Sequence, residues 1–543
     1  MSGMGAGNGP QSEDQKPNML ISLNQTNSIS RSRTREGNEE CALNILLQRA
    51  MDLRLIKGVS IGANDEVHLT HLQFADDSLL FCDADLSEVL NLKRILRCFE
   101  VASGLKINYH KSVLCGIGIS GSALPEFAGL LNCKTQNLPI KYLGLPLGAN
   151  PKRKNTWKPV VDKVKLRLAG WKMKLLSFAG RLTLVKAVLS SIPVYYLSLF
   201  KLPEGIAKEL DKIQASFLWG GPDLKRKIHL VKWSEVTKSI KQGGLGVRRI
   251  RDVNLCLLLK WWWRFVTEPE SLWYRVLCSK YQFPGGKWFP NPSLNTSSSY
   301  IWNGIETAGE HNQSLSLFFA NNLQLKVGNG CRIRFWSDSW CGNVCLKEEF
   351  PRLFSLSSQQ EGLLKEFVEV SAISKNWLFT FRRPLFVWEK NELLRLYGII
   401  GSVPSFQAES QDSAIWRASK PGQSFVSNLY NHTCSVYGGT DWFYHLVWIK
   451  YLPPKVQFFG WLAWKHKIKT SVFLQQIGVL DSSASTLCVF CKAHQESIEH
   501  VLIHCPSVWK VWSGLLQWWG HSCKKAEQRI WENLGFKTVI TQQ

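Results

Sequence analysis

A mixed α/β (α+β) protein of several domains is what this sequence predicts, and three observations carry the prediction. An apolar–acidic–apolar run over residues 71–82 reads as a strand, a tight turn with Asp76 and Asp77, and a second strand. From residue 151 to 265, basic and apolar residues alternate at helical spacing. Near the end, Cys488, Cys491, His500 and Cys505 have the spacing of a small metal-held module. A chain of 543 residues exceeds one core, which rarely grows past about 250–300 residues.

Taken in order, residues 1–40 are rich in Ser, Asn, Gly and Gln without a hydrophobic period and are expected to be disordered. Leu43, Ile45, Leu46, Ala50 and Leu53 predict a helix over residues 41–56. The aspartate hairpin follows. Asp favours turns for local hydrogen-bonding reasons, so the dipeptide alone says little. Its context says more. Asp85 and Glu88 predict a capping box, and Val89, Leu92, Ile95, Leu96, Phe99 and Ala102 predict the helix it starts. Ser103 and Gly104 end that helix, and residues 105–108 begin another strand.

The formal charge is +24, with a pI near 9.4. It is concentrated: residues 151–260 hold 24 Lys or Arg against 7 Asp or Glu. A stripe of that sign suits a phosphate backbone, and Lys163, Lys165 and Arg167 are the candidate contacts. Trp157, Trp171 and Trp233 lie in the same segment and could stack beside a strand of nucleic acid, although most of them are expected to be core. Residues 282–410 carry no recognisable chemistry. Within them, residues 328–340 predict a glycine turn and a strand.

Two cysteines separated by two residues form a turn that aims both thiolates at one ion, and a His and a Cys complete a tetrahedron. Soft sulfur with imidazole favours zinc, and four closed ligands make the site structural. His504 lies four residues after His500 and could replace Cys505, while His494 is a further candidate. Residues 412–430 and 448–474 predict a helical scaffold for this module. Fifteen scattered cysteines and no secretory leader predict a reducing setting, nucleus or cytoplasm, without disulfides. No membrane span is expected. The uncharged stretch 187–200 has 14 residues and a proline, whereas a spanning helix needs about 20.

The order Phe74-Ala75-Asp76-Asp77, long helix, then residues 103–112 resembles the reverse transcriptases of plant LINE-type (non-LTR) retrotransposons. Residues 138–148 resemble their primer-side hairpin, and residues 488–506 their zinc-binding domain, which favours Cys505 as fourth ligand. The resemblance implies a partial right-hand palm over 41–150, a basic thumb over 151–281 and a connection region over 282–410. It continues with a zinc-binding domain over 411–520 and a tail over 521–543. It implies RNA-directed DNA polymerase ancestry, with Asp76 and Asp77 as remnants of a magnesium site and RNA or DNA as partner. In the family a first metal-binding Asp and the fingers precede the hairpin, and nothing in residues 1–70 matches them. The expectation is therefore an N-terminally truncated relative, inactive alone because two-metal phosphoryl transfer needs that carboxylate. Two alternatives stay open: a retained nucleic-acid-binding zinc protein, and an incomplete gene model of an active polymerase.

Overall fold

The computed structural model describes residues 18–26, 36–62, 67–119, 123–169, 176–220, 228–283, 288, 298–310, 312–342, 344–370, 375–418 and 421–520. Trp171 and the 521–543 tail lie outside them. The fold is mixed α/β, and the described chain forms two compact units. One takes residues up to 157 with 196–201 and 255–429; the other takes 158–195, 202–254 and the residues from 430 onward.

The first unit is built on a sheet with a strand that the sequence reading assigned to disorder. β1 (Asn18–Thr26) comes first, followed by α1 (Glu36–Asp52) and the small hairpin of β2 (Val59–Ile61) and β3 (Val67–Leu69). β4 (His71–Phe74), β5 (Asp77–Asp83), α2 (Leu86–Ser103), β6 (Lys106–Ile107), β7 (Val113–Ile117), α3 (Ala123–Leu131) and β8 (Lys134–Thr135) follow. The sheet order is β4-β5-β1-β7-β8, with β6 paired to the end of β1. β1 is antiparallel to both flanking strands, with Asn18 opposite Asp83 on one side and Ile117 on the other.

The alternation of β1 explains its place. Met19, Ile21 and Leu23 face a core shared with Leu43 and Leu47 of α1, Val89 and Phe99 of α2, and Phe127 of α3. Leu20 faces the opposite side, against Leu79, Cys115 and Ile140. Each such buried side chain stabilises the fold by about 1.5–3 kcal/mol, ample for a strand flanked on both sides. A polar composition around a short apolar run, Met19 to Ile21 with Leu23 after Ser22, hid it from a reading by window.

α2 begins and ends where expected, but its start is held differently. Asp85 makes no capping bond, and its carboxylate is engaged by the Ser87 hydroxyl. Glu88 is buried and accepts the backbone N–H groups of Lys57 and Asp83, each at 3.1 Å. The predicted capping box is thus replaced by a carboxylate that ties the chain before β2 to the end of β5. At the far end, Gly104 adopts φ +72 and donates its N–H to the Glu100 carbonyl, the left-handed C-cap geometry. β9 (Ile140–Tyr142) and β10 (Leu145–Leu147) form the short hairpin of the 138–148 segment.

Residues 328–340 form no strand beyond a single bridge from Arg334 to Leu363. Instead they wrap around Asp412, a buried carboxylate that accepts four backbone N–H groups: Gly328 (2.7 Å), Gly330 (2.9 Å), Arg332 (2.8 Å) and Ile333 (3.1 Å). Glycine is required twice. A Cβ on residue 328 would sit 2.3 Å from the Ser410 carbonyl oxygen, and Gly330 has φ +69. The next residues, Ser413–Trp416, form a strand antiparallel to Leu323–Lys326. Residues 412–416 therefore complete the 282–410 region rather than opening a helical zinc scaffold.

The second unit interleaves the basic segment with the C-terminal residues. It contains most of α4 (Lys154–Ala169), α5 (Phe178–Leu184), and the helices Glu204–Trp219 and Pro454–Trp464. Phe178 stacks on Phe458 with centroids 3.5 Å apart. The Trp461 indole donates to the Gly243 carbonyl at 2.9 Å, and the Arg249 amide to the Tyr430 hydroxyl at 3.0 Å. Among the described residues, no helix is long and apolar enough to cross a membrane.

Candidate functional site

The C-terminal cluster is assembled from two turns. In the first, the Lys492 amide donates to the Cys488 carbonyl at 2.8 Å with Lys492 at φ +56, and the Cys488 amide donates to the His494 carbonyl at 2.8 Å. A single antiparallel bridge between Leu487 and Gln495 closes this knuckle. The second turn is a wide one over His500–His504, closed by the Cys505 amide donating to the His500 carbonyl at 2.7 Å. Pro506 then starts the helix Pro506–Trp518, where a missing N–H costs nothing.

That wide turn decides which of Cys505 and His504 joins the cluster. A regular helix would put His500 and His504 on one face. With the hydrogen bond reaching five residues instead of four, Cys505 swings in and His504 is left exposed, outside the cluster. The Cys488 and Cys505 sulfurs are 3.9 Å apart, Cys491 Sγ lies 3.2 Å from His500 Nε2, and all four donor atoms fall within 4.8 Å of one another. A tetrahedron with zinc–sulfur bonds of about 2.3 Å has sulfur–sulfur edges of about 3.8 Å, so the donors fit zinc. His494 is exposed; its ring centroid stands 5.4 Å from that of His500.

The electrostatics favour thiolate at one corner. Backbone N–H groups, led by that of Ala493, pull the Cys491 thiol down to about 5. Burial pushes the Cys488 thiol up. A metal ion would draw the proton from both, because the thiolate is the ligand. Among the described residues this is the one group of three or more His, Cys, Asp or Glu side chains close enough to share an ion.

The aspartate pair sits as a hairpin tip, with a two-residue turn of Ala75 (φ +50) and Asp76 joining β4 to β5. Asp76 is exposed, and Asp77 pairs with Phe74 on one side and with Asn24 of β1 on the other. β1, which the sequence reading missed, thus runs beside the pair, but it contains no acidic residue. Its signal was the alternation Met19, Ile21, Leu23 within a polar stretch.

The three basic candidates lie on α4 but do not form one stripe. Lys163 and Arg167, four residues apart, are exposed on the same face. Lys165 points elsewhere and pairs with Glu209 at 3.1 Å. Other charges of the segment are also paired, Arg251 with both Glu204 (2.8 Å) and Asp211 (2.5 Å). Trp157 is fully buried, its indole donating to the Pro151 carbonyl, and Trp233 donates to Asp211. Neither is a stacking platform.

Residues 425–512 match the family model described as zinc-binding in reverse transcriptase, and this span contains all four cluster residues. A putative ribonuclease H protein of Arabidopsis thaliana is 31% identical over 395 residues, which cover 70% of this chain and 60% of that protein. An uncharacterized mitochondrial protein of the same plant is 33% identical over 151 residues, 28% of this chain and 92% of that protein. The chain thus spans about three fifths of the first relative's length. On this evidence the chain belongs to the reverse-transcriptase-related proteins of retroelements that carry this zinc-binding domain.

Proposed function

We propose that the chain is a LINE-type (non-LTR) retrotransposon relative that holds one structural zinc ion, binds RNA or DNA, and does not polymerise. The observation that carries the reading is the closed four-donor cluster within the matched zinc-binding segment. That segment shares a compact unit with the basic residues 158–195 and 202–254. Cys488, Cys491, His500 and Cys505 would hold the ion, and with no open position for water it would supply stability rather than chemistry. The same unit would present Lys163 and Arg167 to a phosphate backbone.

The lack of polymerase activity rests on the hairpin. Two-metal transfer needs carboxylates to hold the ions that would clamp the attacking and the leaving oxygen. β1, the strand beside the pair, carries no acidic residue, and Asn24 is the register neighbour of Asp77. Purified chain should therefore not extend a primer on an RNA template with magnesium or manganese. Template-dependent incorporation that disappears in Asp76→Ala would overturn this part of the reading.

A further inference from the structure

The second unit contains a cavity of about 580 Å³, inside the range of about 300–1,000 Å³ for ligand pockets. It lies where α5, the end of the helix Glu204–Trp219 and the helix Pro454–Trp464 meet, with residues 467–469 at its edge. Four of its lining residues are aromatic: Phe178, Trp219, Phe458 and Phe459. Three are cationic, Arg181, Lys467 and Lys469, and among the described residues that line it none is acidic.

These groups divide the work. Phe178 and Phe458 are stacked on each other, and Phe458 continues onto Trp461 at 5.9 Å, so they form a rigid wall. Arg181 is committed to that wall too, donating to the carbonyl oxygens of Leu218 and Gly220 at the end of the helix Glu204–Trp219. Phe459 is different: 49% of it is exposed. Lys469 is exposed beside it, and the half-buried Lys467 carries its ammonium 5.0 Å above the Phe473 ring.

An apolar slot with an open aromatic ring and cationic side chains at its rim suits a planar, apolar group attached to an anion. We propose that this cavity takes an unpaired base of single-stranded RNA or DNA, stacked on Phe459, with Lys467 and Lys469 meeting the flanking phosphates. Stacking on aromatic rings is how single strands are bound without regard to sequence, since every base has a π-face. Bases within a duplex are already stacked and cannot enter. The proposal rests on the nucleic-acid-binding reading above and assigns it a strand preference that the α4 face, which meets phosphates only, does not have.

The test uses the full chain, a fluorescent oligo(dT) and a blunt duplex of equal length at one salt concentration. Oligo(dT) should bind more tightly than the duplex. Phe459→Ala should weaken oligo(dT) by roughly 5- to 100-fold, leave duplex binding unchanged, and be restored by Phe459→Trp. The double change Lys467→Gln with Lys469→Gln should flatten the salt slope for oligo(dT) by about 1.4. Ultraviolet cross-linking of a bromouracil-containing strand to the wild-type chain should mark the peptide carrying Phe459, a readout that needs no variant. If the chain binds nucleic acid but Phe459→Ala changes nothing and the cross-link maps elsewhere, the cavity proposal is wrong and the binding reading survives. If the wild-type chain binds neither probe, both readings fall.

Discussion

Cys505 against His504 is the sharpest choice at the scale of single residues. Their spacing from His500 leaves both possible, and only the five-residue hydrogen bond that widens the turn brings the cysteine in. Cys488→Ser, Cys491→Ser and Cys505→Ala should each lose the metal, because a hydroxyl or methyl cannot replace thiolate on zinc. His504→Ala and His494→Ala should each retain one zinc per chain by elemental analysis. The reverse pattern would make this a two-cysteine, two-histidine site. A second residue-scale prediction concerns acid. Glu389, fully buried by surface area, meets Arg383 at 2.7 Å, Arg352 at 3.0 Å and the Phe386 amide at 2.9 Å. The Arg383 hydrogen bond first, with the other two, holds its carboxyl at about 2. Its folded value lies below the unfolded one, so its contribution is complete above the ordinary value near 4.5 and is lost as pH falls toward 2. Thermal melts should therefore show the wild type losing stability faster than Glu389→Gln between those values. Parallel curves would refute the assignment. Spacing brought out Cys488, Cys491 and His500 and left Cys505 against His504 open, and it gave no sign of this ion cluster, because its partners stand 37 and 6 residues apart with no periodic signature.

Elements with strong local signals were legible. The hairpin around Asp76, α2 with its glycine cap and the short 140–147 hairpin all follow from turn chemistry and apolar spacing over neighbouring residues. Elements fixed by distant partners were not. β1 has too short an apolar run to be separated from a polar leader. Residues 328–340 looked like a strand because nothing local tells that their amides converge on a carboxylate some 80 residues later. That convergence is testable. Asp412→Ala strands four donors, three of them buried, and each unsatisfied buried group costs about 1–3 kcal/mol before relaxation. A loss of at least about 3 kcal/mol in denaturant unfolding is the expected result. A change below about 1 kcal/mol would mean that the loop is held by its aromatic core instead.

Across the whole molecule, charge and connectivity matter more than any single contact. Binding to RNA or DNA should weaken steeply with salt and show little base preference, since phosphate contacts position rather than specify. Lys163→Glu with Arg167→Glu should weaken it more than Lys165→Glu, whose ammonium already faces Glu209. Equal binding at low and high salt would remove the electrostatic basis. Domain limits were the least legible feature, because the sequence reading cut the chain into consecutive blocks. The second unit is instead discontinuous, and its C-terminal part leans on residues 178–249 through the Phe178–Phe458 stack and the Trp461 and Arg249 hydrogen bonds. The first unit poses a problem of timing. β1 is synthesised before any other strand of its sheet, yet it belongs at the centre, and its last partner, β7, is complete only at residue 117. At about 5–20 residues per second the ribosome needs roughly 5–18 s to cover that interval. Until β5 is complete at residue 83 both edges of this hydrophobic strand lack partners, and until β7 follows one edge still does, the form most prone to join another chain. Yield of soluble protein should thus depend on translation speed and chaperone supply over residues 27–117, and slowing synthesis there should increase aggregation without altering any residue of either candidate site.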